Sequence, residues 1–476
     1  RRLFCEGASV QPKTRGGYMN TTDQICEHVV KASFSDLDDF TVSRVKTRVL
    51  DAAGVIAAGV HAPRCDDLYD LLKSYGTAPQ CAAFFRKERV DAPSAAMINS
   101  FAMRSYDFEA IEAENPGRKS SAAHISGTTV PTALACAERA CASGREFITA
   151  LALGDDIAAR LGAASGFDVY GGWDNTNTIN GLGATTIAGK LAGLSERQLN
   201  NAYGLDLNML GGSMDNINFK TLAFKLPMAL ASRNAIFSAD FAARGMTATH
   251  DAFMGKKGYF LLFCGDKQRP ELLTEDLGKV FYGDVVIKPW SACRATHPSI
   301  DACMQIVEAH DFDADQIEKV VVHATPRTAS GFVGKPFEIG EEPQVSGAFS
   351  IIYTAAVALA YKCVRPEYMN EEAMRDERLG ALIGKIEIAP SLPPDEYQTS
   401  EVDVVLADGT KYHARCDVPK GDIYKSAMSM EEVLDKFYKN IEFSGAVTRE
   451  GADRIIDAVD HLEDLGDINE LVDLMR

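Results

Sequence analysis

Alanine- and glycine-rich segments with helical spacing run from residue 19 to about residue 280, and they restrict the fold more than any other feature of the chain. Alanine favours helix, and helix surfaces made of small residues let neighbouring helices approach closely. Segments 129–144 and 145–162 follow this pattern, and we expect Gly144 and Gly162 to cap their ends. The first part of the chain is therefore predicted to be a large bundle of closely packed helices.

Three glycines in this region could suggest a nucleotide-binding loop. Gly181, Gly183 and Gly189 do not have the G-x-G-x-x-G spacing, and no predicted strand precedes them. We therefore interpret them as helix-packing positions.

After about residue 284 the pattern changes from helical to alternating. Segments 319–324 and 385–390 alternate in the manner of strands. Asp408 and Gly409 join two further alternating runs, which predicts a β-hairpin. The C-terminal residues then return to amphipathic helical spacing.

These changes predict a mainly α protein with a smaller α+β domain. A large all-helical domain would span residues 19–283, an α+β lid domain residues 284–420, and C-terminal helices that rejoin the helical domain residues 421–476. The basic, turn-rich residues 1–18 lack the apolar stretch of a secretory signal. We expect them to be a leader or a cloning remnant ahead of Met19.

The charge balance excludes several classes of partner. The net charge is −18, from 49 lysines and arginines against 67 aspartates and glutamates. Such a chain repels nucleic acid and anionic lipid, so neither is expected as a partner. No apolar run reaches the roughly 18 residues of a membrane-spanning helix. Eleven cysteines without a C-x-x-C pair favour a reducing, cytoplasmic setting over a disulfide framework.

The stretch KPWSACRATHPSID, residues 288–301, concentrates reactive side chains. Cys293 and His297 are four residues apart, but no second Cys/His pair completes a zinc site. Cys293 is better interpreted as a small packing residue than as a nucleophile. Lys288, Arg294 and His297 could bind an anion, since Arg offers a planar fork and Lys a point charge. They would equally suit a solvated loop, and this stretch alone leaves both interpretations open.

A second stretch favours the anion site. In residues 103–133, Asp107 has apolar neighbours, and His124 precedes a helix start rich in serine, glycine and threonine. Backbone N–H groups at a helix start attract an anion, and small residues let it approach. If the fold brings the two stretches together, the chain has an anion pocket with two groups that could move a proton.

Six collinear stretches resemble the MmgE/PrpD family, which includes 2-methylcitrate dehydratase, cis-aconitate decarboxylase and iminodisuccinate epimerase. The similarity runs from about residue 20 to the end. The stretches are YDFEA, AAHISGTTVPTALACAE, GWDNTNTINGLGATTIAGKLAGLS, ALASRNAIFSADFAARG, KPWSACRATHPSID and GAFSIIYTAAVALA. The resemblance implies a helical domain with a lid domain, a homodimer, and a site in the cleft between the domains. It implies neither a metal nor an organic cofactor.

The resemblance also implies roles for individual residues. Asp107 matches the aspartate of a D-F-D-D-like segment, and His124 matches the histidine before the following helix. Lys288 and His297 match the lysine that opens, and the histidine that closes, the later stretch. Arg294 lies in the same loop.

The chain departs from the family pattern at two positions. Asp174 and Pro227 each stand where the family has a histidine. The basic residue of the second segment is shifted to Lys225, with Lys220 as an alternative. Losing two histidines argues against methylcitrate or cis-aconitate as the substrate. Asp174 could instead pair with a cationic substrate group or act as a base.

Dehydration, decarboxylation and epimerisation of polycarboxylates all build negative charge beside a carboxylate. Fixed cations lower that barrier, and a positioned acid or base moves the proton. We therefore expect a cofactor-independent lyase, a dehydratase or decarboxylase, that acts on a small di- or tricarboxylate. The residues expected to serve catalysis are Asp107, His124, Lys288 and Asp174, and those expected to bind the substrate are Lys225, Arg294 and His297. The alternatives are an epimerase or racemase of an amino- or imino-dicarboxylate, and a family member that binds a small acid without turning it over.

Overall fold

The computed structural model describes residues 13–14, 17–112, 123–283 and 285–476. Most of the predicted leader, residues 1–18, lies outside the described residues. The described helices are α1 Thr21–Lys31, α2 Asp39–Gly59, α3 Cys65–Ser74, α4 Ala92–Met103, α5 Ile125–Ala140, α6 Gly144–Ser165, α7 Asn175–Thr178, α8 Asn180–Leu191, α9 Glu196–Asp206, α10 Asp215–Asn218, α11 Leu226–Ala243, α12 Tyr259–Phe263, α13 His297–Ala309, α14 Pro326–Ser330, α15 Pro343–Ala348, α16 Ile351–Tyr361, α17 Glu371–Met374, α18 Glu377–Ile383, α19 Met430–Ser444, α20 Arg449–Asp460 and α21 Asn469–Val472. The described strands are β1 Lys13–Thr14, β2 Gly17–Tyr18, β3 Cys81–Ala82, β4 Arg89–Val90, β5 Ile111–Glu112, β6 Val285–Val286, β7 Ile317–His323, β8 Ile386–Ala389, β9 Ser400–Leu406 and β10 Lys411–Cys416.

Helices α4, α5, α6, α8 and α11 pack against one another around a core rich in alanine. Where α6 meets α8, a Cβ atom at Gly183 would lie 2.5 Å from the carbonyl oxygen of Gly154. No side chain fits at that distance, so glycine is required for the close approach. Gly183 is therefore a helix-packing residue, as the sequence predicted.

The two predicted glycine caps are wrong. Helix α5 ends at Ala140, and Cys141 takes the left-handed cap position with φ of 49°. Gly144 instead begins α6, where a Cβ would lie 1.6 Å from the carbonyl oxygen of Leu462. Helix α6 also continues past Gly162 and ends at Ser165. Gly144 is required by this close approach of the C-terminal segment, a contact that local sequence cannot reveal.

The main sheet has the strand order β10-β9-β7-β8. Strands β7 and β8 are parallel, while β9 is antiparallel to both of its neighbours. Strands β9 and β10 form the predicted hairpin, with Gly409 in the left-handed region at φ of 88°. Helix α13 packs on β9 and β10. The prediction of a mainly α protein with a smaller α+β part is confirmed.

The C-terminal helices return to the first part of the chain. Helix α19 packs along α2, where a Cβ at Gly54 would lie 2.9 Å from the ring of Phe437. The amide of Ile468 donates to the carbonyl oxygen of Ala142 at 2.8 Å. Among the described helices, none is both long enough and apolar enough to cross a membrane.

Candidate active site

Five charged or titratable side chains meet where the helical part of the chain faces the region that follows β6. Arg104 follows α4, Asp107 and Glu109 lie in the segment that leads to β5, and His124 directly precedes α5. Strand β5 pairs with β6, which brings Lys288 next to Asp107 although 181 positions separate them. These five residues are termed the central cluster below.

The guanidinium of Arg104 is at the centre of this cluster. Its Nη1 donates to Oδ1 of Asp107 and, at 2.7 Å, to Oε1 of Glu109, and it lies 3.0 Å from Nδ1 of His124. The side chain is only 2% exposed, and its Cζ lies 5.0 Å from the ring centroid of Phe224. Burial alone would lower the pKa of Arg104, but the carboxylates of Asp107 and Glu109 raise it above its ordinary value. Arg104 is therefore a permanently charged group.

Lys288 supplies the second cation. Its fully buried ammonium donates to the carbonyl oxygen of Asp107 and lies 3.4 Å from Oδ2 of the same residue. Asp107 has φ of 52°, in the left-handed region that residues other than glycine seldom adopt. Lys288 thus holds both the backbone and the carboxylate of a strained residue.

His124 is the member of the cluster that is open to the outside. Its side chain is 14% exposed, whereas those of Arg104, Asp107, Glu109 and Lys288 are 2% exposed or less. Its Nδ1 lies 2.7 Å from Oε1 of Glu109. Because an ionised carboxylate can only accept, we assign the proton to Nδ1, which leaves the lone pair on Nε2. Nε2 is therefore the basic atom of the site.

The electrostatic environment suits His124 to accept a proton. Burial, and then the charge of Arg104, lower the pKa of His124 below its ordinary value of 6.5, although Glu109 opposes them. The imidazole is accordingly neutral at pH 7. Burial would raise the pKa of Glu109, but Arg104 and His124 hold it well below its usual range. Glu109 therefore stays ionised and can stabilise the imidazolium that forms when Nε2 takes up a proton.

Asp107, Glu109 and His124 also offer ligand atoms that lie within 4.8 Å of one another, a spacing suitable for a metal ion. Nη1 of Arg104, however, lies against all three residues. A divalent cation there would face the charges of both Arg104 and Lys288. The two carboxylates fit better as partners of these protein cations than as metal ligands.

Lys225 lies beside the cluster. Its fully buried ammonium donates to the carbonyl oxygen of Pro63 at 3.0 Å and to Oγ of Ser105 at 3.1 Å. Within the described part of the chain, no carboxylate forms an ion pair with it. Burial lowers the pKa of Lys225 to about 8. Lys225 therefore bonds to the residue that follows Arg104, and its hydrogen-bond acceptors in the described structure are both neutral oxygens.

Asp174 is buried and caps α7. Its Oδ1 accepts from the amide of Thr176 at 2.8 Å, and its charge helps to raise the pKa of Arg104. A Cβ at Gly212 would lie 2.9 Å from Cβ of Asp174 and 3.1 Å from Cβ of Pro227. The two positions at which the chain departs from the MmgE/PrpD pattern are therefore neighbours in space.

Arg294 and His297 are held by the protein itself. Arg294 donates to the carbonyl oxygens of Lys420 at 2.6 Å and Pro419 at 2.7 Å, and its Nη1 lies 3.4 Å from Nδ1 of His297. Nε2 of His297 donates to the carbonyl oxygen of Ala292 at 3.1 Å, which leaves Nδ1 as the acceptor. Burial and the charge of Arg294 lower the pKa of His297 far below 6.5. Among the described residues, neither Arg294 nor His297 forms a hydrogen bond or an ion pair with a side chain of the central cluster, and both hold the loop that follows Lys288.

Sequence reasoning missed Arg104 and Glu109. Both lie in MRSYDFEA, three residues before and two residues after Asp107. One arginine and two acids within six consecutive positions is a sequence pattern that could have identified them. Burial raises the pKa of Cys293 to about 12, which suits a packing thiol rather than a nucleophile.

Comparison with known proteins identifies the family of the chain. Residues 23–271 match the MmgE/PrpD N-terminal domain, and residues 290–464 match the MmgE/PrpD C-terminal domain. The chain is also similar to the cis-aconitate decarboxylase-like protein oryM of Aspergillus oryzae. The two are 23% identical over 479 residues, which cover 96% of this chain and 97% of that protein. The two domain matches together span most of the sequence, and the chain therefore belongs to the MmgE/PrpD family.

Proposed function

We propose that the protein is a cofactor-independent lyase, a dehydratase or decarboxylase, that acts on a small di- or tricarboxylate. The observation that carries this proposal is that a partly exposed His124 pairs with the buried Glu109 in one cluster with the buried cations Arg104 and Lys288. Membership of the MmgE/PrpD family and similarity to a cis-aconitate decarboxylase-like protein support the same reaction class.

The cations account for charge stabilisation. Loss of a proton or of CO2 beside a carboxylate leaves an electron pair that spreads into that carboxylate as an enolate-like state. Arg104 and Lys288 are fixed, buried donors, so they stabilise the growing charge without reorganising. Lys225 adds a third buried cation that no described carboxylate neutralises.

His124 accounts for the proton transfer. In a dehydration, Nε2 takes the proton from carbon, and the C–H electron pair becomes the new double bond as the C–O bond breaks. The imidazolium of His124 returns the proton to the departing hydroxide, which leaves as water. In a decarboxylation, the bond to CO2 breaks, the electron pair stays on carbon, and protonated His124 delivers a proton to it. In both cases Glu109 stabilises the imidazolium through Nδ1.

Asp174 and Pro227 limit the choice of substrate. They stand together where the family has two histidines, and the buried Asp174 adds a negative charge near Arg104. A negative charge there disfavours an extra carboxylate on the ligand. We therefore place dicarboxylates ahead of tricarboxylates.

Proton NMR of the purified protein in deuterated water, with a panel of di- and tricarboxylates, tests the proposal. The expected result is the appearance or loss of a vinyl signal in one acid. Exchange of an α-proton with an intact carbon skeleton would show an epimerase instead, and a shift in melting temperature without any spectral change would show a binder. The Lys288→Ala variant should abolish the signal, and Cys293→Ala, in the same loop, is the matched control.

A further inference from the structure

A second lysine contacts the strained turn at Asp107. Lys436, on α19, donates from Nζ to the carbonyl oxygen of Phe108 at 3.1 Å. Lys288 donates to the carbonyl oxygen of Asp107, the residue before it. Two successive carbonyls of one turn thus accept hydrogen bonds from two buried lysines, which come from distant parts of the chain.

Lys436 is itself held in place. Its Nζ donates to Oδ1 of Asp51 on α2 at 2.6 Å, and it lies 4.8 Å from the ring centroid of Phe108. The side chains of Lys436 and Asp51 are 7% and 1% exposed. A buried ion pair seldom stabilises a fold more than apolar side chains of the same size would. Stability alone is therefore a weak explanation for a charged pair at this position.

We propose that Lys436 is a positioning residue that fixes the Asp107–Phe108 turn and so orients the carboxylate of Asp107 toward Arg104. Asp107 has a positive φ, so its peptide tends to relax when a bond to the turn is lost. Because Arg104 contacts Asp107, Glu109 and His124 through one nitrogen, a shift of the turn reaches the basic group. The catalytic consequence rests on the lyase function proposed above.

A neighbouring cavity makes the proposal testable by chemical rescue. A cavity of about 440 Å³ is lined by Lys436 together with Phe108, Trp290, Met428 and Lys439. In the Lys436→Ala variant, the space left by the side chain would join this cavity. A small alkylammonium ion could then enter and donate to the carbonyl oxygen of Phe108.

The experiment compares wild type, Lys436→Ala and Lys439→Ala on an acid that the wild-type protein turns over. Lys436→Ala should lose about 100-fold in kcat, the cost of a displacement of roughly 1 Å at a reacting group, with little change in KM. Propylammonium should restore part of that kcat in a saturable manner. Lys439 lines the same cavity and, among the described residues, forms an ion pair only with Asp435 on its own helix. Lys439→Ala should therefore keep its activity and show no response to the amine. Wild-type kcat in Lys436→Ala, or no response to the amine, would overturn the proposal.

A paired variant covers the case in which Lys436→Ala does not fold. Asp51→Asn combined with Lys436→Met removes both charges, so no buried carboxylate is left without its partner. The proposal expects this variant to fold and to keep the low kcat, because the donor to Phe108 is still missing. Full activity would show that Lys436 only neutralises Asp51.

A histidine-labelled NMR spectrum provides a readout that needs no substrate. The His124 signal should move in both Lys436 variants, and it should return toward its wild-type position when propylammonium is added to Lys436→Ala. An unmoved His124 signal would refute the positioning role even if no acid is turned over. Failure of the acid panel with wild type, in contrast, would refute the lyase function and leave this NMR test of Lys436 in force.

Discussion

A buried aspartate outside the central cluster offers a test of the structure that requires no substrate. Asp206 ends α9, is 0% exposed, and has one described side-chain partner, Oγ1 of Thr185, at 2.9 Å from Oδ2. Its Oδ1 has no hydrogen-bond partner among the described atoms. Burial raises the pKa of Asp206 from 3.8 to about 7. We predict that Asp206→Asn stabilises the protein at high pH relative to wild type.

The direction follows from proton binding. Below pH 3.8 the folded and unfolded states both hold the proton, so Asp206 gives no pH dependence. Between pH 3.8 and about 7 the unfolded chain releases the proton and the folded chain keeps it, and the free energy of unfolding falls as pH rises. Above about pH 7 the loss is complete. At about 1.4 kcal/mol for each pH unit, the total is about 4 kcal/mol.

The assay is the melting temperature of both proteins at pH 5 and pH 8. With roughly 2.1 cal/mol/K of unfolding entropy per residue, 4 kcal/mol corresponds to a shift of about 4 °C in a chain of this length. Only the change between pH 5 and about 7, about 3 kcal/mol, falls within this comparison, so the advantage of Asp206→Asn over wild type should grow by about 3 °C between the two pH values. Asp315→Asn is the control, because the side chain of Asp315 is 81% exposed. An advantage that is constant with pH, or that shrinks as pH rises, would refute the reasoning.

Three further predictions concern the site. Lys288→Ala should abolish turnover, and Cys293→Ala should keep most of it, as measured by NMR of the product. Full activity of Lys288→Ala would refute the anion-binding interpretation. For a dehydratase, in which His124 is the base and must be neutral, kcat/KM of the wild type should fall as pH is lowered through a midpoint below 6.5. For a decarboxylase, in which protonated His124 is the acid, kcat/KM should instead fall as pH rises through that midpoint. A midpoint above 6.5 in either profile would contradict the lowered pKa of His124. Glu109→Gln should reduce kcat by about 100-fold or more and move that midpoint to lower pH, since Glu109 raises the pKa of His124; an unchanged profile would exclude the Glu109–His124 pair.

Part of the site could be predicted from sequence because its residues lie in distinctive stretches. Asp107, His124 and Lys288 were expected, and the structure brings all three into one cluster. Arg294 and His297 belong to the same stretch as Lys288, but the structure directs their polar atoms to each other and to backbone carbonyls. A sequence pattern shows which residue types lie close together along the chain, yet it cannot show which way each side chain points.

The sequence by itself determined the fold class. Small residues at helical spacing led to the bundle, and alternating runs joined at Asp408 and Gly409 led to the hairpin, because both signals are local and depend on backbone geometry. Only the tertiary structure decided that Arg104 and Glu109 complete the cluster. It alone showed that the carbonyl oxygen of Leu462 lies too close to Gly144 for a side chain there. It alone showed that Lys436 donates a hydrogen bond to the turn at Asp107. Those contacts join residues that are far apart in the chain, and burial then shifts their pKa values, so the chemistry of the site exists only once the chain has folded.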